Sequence, residues 1–165
     1  MALKISRQAW LWYFAALMIV VLDQLSKIWI SHNLTYGVPV EFTSFFNFTL
    51  LHNHGAAFSF LSNAGGWQRW FFAVIAIAVS SILIMWIARV VNSSQREAFA
   101  LSFILGGALG NLVDRIALGY VVDFIVLHYE DNFFPAFNLA DSAITLGAFI
   151  LIADMFLTKE KKSHA

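Results

Sequence analysis

The sequence predicts a mainly helical integral membrane protein with four transmembrane helices. Three observations carry that prediction: a charge-poor composition, four long apolar stretches, and cations gathered on one side. Of the 165 residues, 60% are hydrophobic and only 12% are charged, with a mean hydropathy of +0.73. A soluble domain carries about a quarter charged residues, so this chain could not cover a water-exposed surface. The formal net charge is zero, which leaves no basic face to argue for nucleic acid. The absence of cysteine excludes a disulfide, a thiolate nucleophile and a Cys-ligated metal. With two prolines and no low-complexity run, nothing marks a linker, and residues 1–165 read as one membrane-embedded domain.

A bilayer core about 30 Å thick needs about 20 apolar residues in a helix. Four stretches meet this: about 9–30, 67–88, 98–113 and 139–157. Asp114 and Asp154 intrude near the ends of the last two. Lys4 and Arg7 before the first stretch resemble the opening of a cleavable leader. No small-x-small cleavage site follows, and the core runs into Asp23, Gln24, Ser26 and Lys27, so the segment is expected to stay as a helix. Lys4, Arg7, Arg89, Arg96, Lys159, Lys161 and Lys162 fall on one side of the four spans. The positive-inside rule assigns that side, and with it both termini, to the cytoplasm. Trp10, Trp12, Tyr13, Trp67 and Trp70 stand at span ends, where aromatic anchors belong.

Two loops, about 31–66 and 114–138, then face outward. In the first, Phe46, Phe48 and Leu50 alternate with Asn47, Thr49 and Leu51 after the turn Gly37-Val38-Pro39, which predicts short strands within 34–62. In the second, residues 124–129, the turn Glu130-Asp131-Asn132 and Phe133-Phe134 predict a strand-like flap.

Ionisable groups in a membrane are costly and functional by default. Asp23 and Lys27 stand four apart with the acid first, the favourable order for a helical pair, and read as mutual neutralisation near the outer end of the span. Asn111 shares a face with Asp114 and Arg115. Adjacent on a helix, Asp114 and Arg115 cannot pair, so each bonds something else, either as a clamp or on substrate. Gly106, Gly107 and Gly110 precede them and read as a helix-packing face. Asp123, in Tyr-Val-Val-Asp-Phe-Ile, read alone is a solvated loop acid. Asp141, in Phe-Asn-Leu-Ala-Asp, read alone is an acid welcomed at a helix N-terminus. Both fall at one depth on the outer face. If they meet, the pair shares a proton, so one acts as base on water while the other donates to a carbonyl oxygen. His52 and His54 flank Asn53, but no further ligand stands at helical spacing from them, so no metal site is expected. No Gly-x-Ser-x-Gly elbow, P-loop or dinucleotide fingerprint is present.

Five blocks occur in order: Asp23-Gln24-Leu25-Ser26-Lys27, Asn53-His54-Gly55-Ala56-Ala57-Phe58, Gly110-Asn111-Leu112-Val113-Asp114-Arg115, Val122-Asp123-Phe124 and Phe137-Asn138-Leu139-Ala140-Asp141. Together they resemble the bacterial lipoprotein signal peptidases, the type II signal peptidases, over nearly the whole chain. The resemblance implies an intramembrane aspartyl endopeptidase of the bacterial cytoplasmic (inner) membrane. It would remove signal peptides from prolipoproteins by cutting just before a diacylglyceryl-modified cysteine, with no cofactor and no metal. Carried residue by residue, it implies a catalytic pair Asp123 and Asp141. It makes Asn53, Asn111, Arg115, Asn138 and Asp114 substrate-binding or site-supporting, and Asp23, Lys27 and Gly55 structural. The expected partners are lipid-modified prolipoproteins, membrane lipid and globomycin-type inhibitors. Two rival classes remain open: a small transporter or proton relay using Asp23, Lys27, Asp123 and Asp141, and a non-catalytic assembly factor.

Overall fold

A backbone in hydrocarbon must satisfy its own N–H and C=O groups, so each long apolar stretch is held to a continuous helix. The computed structural model describes residues 6–55 and 65–163. Its four long helices are α1 (Arg7–Asn33), α2 (Gln68–Val90), α3 (Gln95–Ala117) and α4 (Leu139–Ser163), each long and apolar enough to cross a membrane. At 23 residues, α2 and α3 are each about 34 Å long. The serines that open α1 and α3 cap them, Ser6 accepting from Ala9 N and Ser94 from Glu97 N, both at 3.2 Å.

Helix α3 overruns its expected end near residue 113 by a full turn. Asp114 does not stop it, because its carboxylate is ion-paired inside the fold rather than waiting for water. The helix closes at Gly119, whose φ of +89° is the left-handed conformation that glycine adopts without strain. Its N–H returns to the Asp114 carbonyl at 3.2 Å. Asp154, the other intruding acid, stands 3.3 Å from Arg96 across the α3–α4 contact.

The glycine face expected on α3 is present. A Cβ on Gly106 would lie 2.7 Å from the Ile19 Cβ of α1, and one on Gly110 would lie 2.7 Å from Asp23 Oδ2. Gly107 lies directly against the Ala140 carbonyl of α4, and Gly147 returns the contact against Ala100 of α3. Such close approach is what joins helices in lipid, where apolar burial alone gives little preference for protein over solvent. Ala16, Leu83, Ile87, Leu101 and Leu105 form the core where α1, α2 and α3 meet. Outward-facing side chains stay apolar and exposed, Phe149 at 70% and Trp29 at 60% among them, as a lipid-facing surface requires.

Between α1 and α2 lie β1 (Val40–Thr43) and β2 (Phe46–Asn53), and between α3 and α4 lie β3 (Val121–Tyr129) and β4 (Asn132–Phe133). They form one antiparallel sheet in the order β1-β2-β3-β4. The sheet therefore sits at one end of the bundle, opposite the end carrying Arg7, Arg89 and Arg96. The residues expected as a flap divide. Residues 124–129 belong to β3, an inner strand paired with β2 along most of its length. Only β4, reached through the turn at Glu130 (φ 51°), projects as a hairpin. Ile30, Leu50, Val122 and Phe124 pack the sheet onto the last turns of α1. The expected strand region is described as far as residue 55; residues 56–62 and Lys4 lie outside the described residues.

Gly107→Ala should destabilise the bundle by about 1–3 kcal/mol, the usual range for overpacking. Denaturant unfolding in detergent micelles reads the change, and an unchanged midpoint would contradict close α3–α4 packing.

Candidate active site

The site begins with one buried cation. Lys27, 3% exposed, stands 2.8 Å from Asp23 and 2.9 Å from Asp114, and donates to the Asn111 Oδ1 at 3.0 Å. An ammonium has three N–H groups, and all three are engaged. The expected Asp23–Lys27 pair is therefore one side of a larger cluster that includes Asp114. Both acids also hold backbone. Asp23 Oδ1 accepts from Ala140 N at 2.9 Å, at the start of α4, and Asp114 Oδ2 accepts from Val122 N at 3.0 Å, beside β3. Gln24 completes the cluster, donating to Asp114 Oδ1 at 2.8 Å and to the Gly110 carbonyl at 3.1 Å. Sequence reasoning assigned Gln24 no role. Its one signal was an amide next to Asp23 inside an apolar span.

Asp123 and Asp141 are held differently, by amides. Strand alternation turns Asp123 to the face opposite Val122 and Phe124, where Asn138 Nδ2 donates to its Oδ1 at 2.7 Å and Asn53 Nδ2 to its Oδ2 at 3.0 Å. At 3% exposure it is not a solvated loop acid, because β3 is an inner strand covered on both faces. Asp141 accepts from Asn111 Nδ2 at 2.7 Å. It also forms a capping box with Asn138: Asp141 N donates to Asn138 Oδ1 at 2.9 Å, and Asn138 N returns to Asp141 Oδ2 at 3.3 Å. The structure thus brings both aspartates onto one fully buried asparagine, Asn138, at 0% exposure. Burial first, and the neighbouring Asp141 charge second, push the Asp123 carboxyl up to about 7, against the opposing pull of the Asn53 and Asn138 hydrogen bonds.

Arg115 reaches the same centre. It donates to the Gly55 carbonyl at 3.2 Å and the Asn111 carbonyl at 3.3 Å, and lies 5.3 Å over the Phe72 ring. Gly55 N in turn donates to Asn53 Oδ1 at 3.0 Å, closing the turn that aims the Asn53 amide. All ten residues singled out from the sequence thus fall in one connected network. A cleft of about 700 Å³ opens beside it, with Asn53, Asp141 and Ser142 at its polar end and Ile144 and Phe149 along α4. His52 and His54 stand apart from the aspartates and pack on Tyr120, at 4.0 and 5.4 Å between ring centroids. Burial and then the His54 charge hold His52 below the usual histidine range. Among the described residues, no three His, Cys, Asp or Glu side chains group as a metal would need.

Fold and site together define a multi-pass membrane protein with an acid-bearing polar centre at one end of its bundle. The family model described as signal peptidase (SPase) II matches residues 15–157. The lipoprotein signal peptidase of Cellvibrio japonicus is 61% identical over 163 residues, covering 99% of this chain and 96% of that protein. That of Teredinibacter turnerae is 57% identical, covering 92% and 90%. A bacterial membrane enzyme solved by the in meso method at 2.3 Å superposes with a TM-score of 0.80 and 32% identity, covering 90% of this chain and 89% of its own. The chain belongs to the signal peptidase II family, the lipoprotein signal peptidases, and is a membrane protease.

Removing the Lys27 charge leaves two buried acids without their cation, so Lys27→Met should cost about 3–5 kcal/mol in chemical unfolding. A loss below about 1 kcal/mol would place the ammonium outside the cluster. Asp123 supplies a pH test. Its folded value of about 7 exceeds the ordinary 3.8, so the folded state binds the extra proton between those limits. The stability due to that proton is complete below about 4 and is lost as pH rises to about 7. Asp123→Asn should therefore gain stability relative to the parent across that window and hold a constant difference above it. A difference independent of pH would contradict the raised value.

Proposed function

We propose that this chain is an aspartyl endopeptidase that cuts prolipoproteins just before a diacylglyceryl-modified cysteine, using Asp123 and Asp141 as the reacting pair. The observation that carries this reading is the sharing of Asn138 by two aspartates that, among the described residues, stand in no direct ion pair. The names of the relatives supply the substrate class, prolipoproteins.

In this reading the pair shares one proton near neutral pH, drawn on Asp123, whose carboxyl burial raises to about 7. Asp141, which lines the cleft, takes a proton from a water as that water's oxygen attacks the carbonyl carbon preceding the cysteine. Asp123 gives its proton to the carbonyl oxygen, forming a neutral tetrahedral intermediate. On collapse, Asp123 recovers a proton from that oxygen, Asp141 gives its proton to the cysteine nitrogen, and the C–N bond breaks. Water has then been divided between the new carboxyl and the new amine. Asn53, Asn111 and Asn138 orient the carboxylates through neutral N–H groups, which fix geometry while leaving each acid able to exchange its proton. Arg115 supplies positive charge beside the pair and holds the Gly55 turn.

Sidedness follows from the cations. By the positive-inside rule, Arg7, Arg89 and Arg96 at the end opposite the sheet support a reading in which that end, with both termini, faces the cytoplasm from the inner membrane. The aspartates then lie at the outer face, with the apolar cleft along α4 open to a lipid-anchored substrate or a globomycin-type inhibitor. The proton-relay rival fits less well, because every Lys27 donor is already committed and the acids cluster at one surface rather than at the midplane.

In detergent with a diacylglyceryl-modified prolipoprotein, Asp123→Asn and Asp141→Asn should each lower the cleavage rate by at least about a hundredfold. The unmodified precursor should remain uncut. Parental cleavage by either variant would refute the pair, and equal cleavage of the unmodified precursor would refute the lipid requirement.

A further inference from the structure

Helices α1 and α2 both pack on α3, and they meet each other at Tyr13, whose hydroxyl donates to the Ile84 carbonyl at 2.8 Å. From that bridge toward the sheet end, a groove of about 520 Å³ runs along α1 and α3, with α2 bordering it at Ile84. Its floor is Leu105, Leu109, Leu112, Val113 and Ile116 of α3, a three-and-four spacing that places them on one helix face. Asn111 and Asp114 serve the polar network instead, so the groove is separate from the aspartate site. At the sheet end Ile116 gives its carbonyl to an Arg69 Nη. The Arg69 guanidinium lies 4.7 Å over the Trp70 ring, and a Cβ on Gly119 would come within 3.4 Å of it. Among the described residues, ion pairs form at Lys27 and Arg96 and not at Arg69. The Arg69 Nε is buried and has no hydrogen-bond partner there.

An apolar groove within the membrane, ending at an arginine that has no carboxylate, has the chemistry of a phospholipid site. We infer that one acyl chain of an anionic phospholipid lies along α1 and α3, bordered by α2, with its phosphate paired to Arg69. The floor from Leu105 to Ile116 is about 16 Å long, which suits an extended hydrocarbon chain. A helix of about 10–12 Å diameter with its side chains does not fit a groove of this volume, bridged at one end by Tyr13. Guanidinium matches phosphate with paired donors, and positive charge at the membrane surface draws anionic headgroups. The inference is independent of the peptidase reading, because its test measures binding.

The full-length protein in detergent is titrated with dioleoyl phosphatidylglycerol or with dioleoylglycerol, which has the same chains and no phosphate. Native mass spectrometry counts the adducts. One phosphatidylglycerol is expected to bind at least tenfold more tightly than dioleoylglycerol. Arg69→Gln should erase that preference, and Val113→Trp, filling the groove, should weaken both lipids at least tenfold. Val113→Trp leaves the Arg69 bond to Ile116 in place, so it decides the question even where Arg69→Gln loosens the helix end. Equal binding of the two lipids by the parent overturns the phosphate pairing. Undiminished binding by Val113→Trp overturns the site, as does a change of oligomeric mass in that variant with lipid binding intact, which would assign the groove to a second protein helix.

Discussion

Lys27 is the interaction on which the arrangement of this protein depends. Its three donors reach two acids and an amide on two helices, and those acids pass the connection onward. Asp23 holds the first turn of α4 through Ala140 N, and Asp114 holds β3 through Val122 N. One side chain on α1 thereby sets α3, α4 and the sheet relative to one another. A single ion pair in a membrane does not stabilise merely by existing, since desolvation of both ions opposes the attraction. What makes this cluster tolerable is that every donor on Lys27 is used and that Gln24 adds N–H groups to the acids.

The same count separates the four buried or half-buried acids of this centre into two kinds. Asp23 and Asp114 face a cation, Lys27, at ion-pair distance. Asp123 and Asp141 face asparagine amides, whose N–H groups orient an oxygen without supplying a full opposing charge. Such an amide leaves the carboxyl free to exchange a proton, which is the property that proton transfer requires. Lys27 connects the two kinds without merging them. Because its ammonium accepts no hydrogen bond, Asn111 must turn Oδ1 toward Lys27, and its Nδ2 is left to face Asp141. The scaffold cation therefore sets the orientation of an amide on Asp141, the acid proposed to react, without touching that acid itself.

Much of this was legible in the chain, for reasons that differ residue by residue. The spans could be read because lipid enforces long uninterrupted apolar helices, and the Asp23–Lys27 contact because a four-residue helical spacing is local. Gly107 and Gly110 could be read as packing residues for the same local reason, although their partners Ala140 and Asp23 could not. Asp123 resisted. Its partners, Asn53 of β2 and Asn138 just before α4, stand 70 and 15 residues away, and pairing at those distances leaves no periodic trace. Gln24 resisted because an amide's partners are decided by whatever polar group happens to be opposite. The meeting of Asp123 and Asp141 rested at the sequence level on family resemblance, and in the structure it rests on Asn138.

Asn138 also explains why folding and chemistry are hard to separate here. The first turn of any helix leaves N–H groups without partners, and in a partly dry site they must be met by side chains. At α4 they are met by Asn138, by Asp141 and by Asp23, so the acid proposed to react is also part of the cap that starts its own helix. Replacing that acid by a hydrocarbon side chain would remove a cap as well as a reacting group, while an asparagine keeps an oxygen able to accept from Asn138 N. Loss of activity in a carboxylate-to-amide variant that still folds is therefore the informative comparison, because the capping oxygen survives while the exchangeable proton and the acceptor for Asn111 Nδ2 are gone.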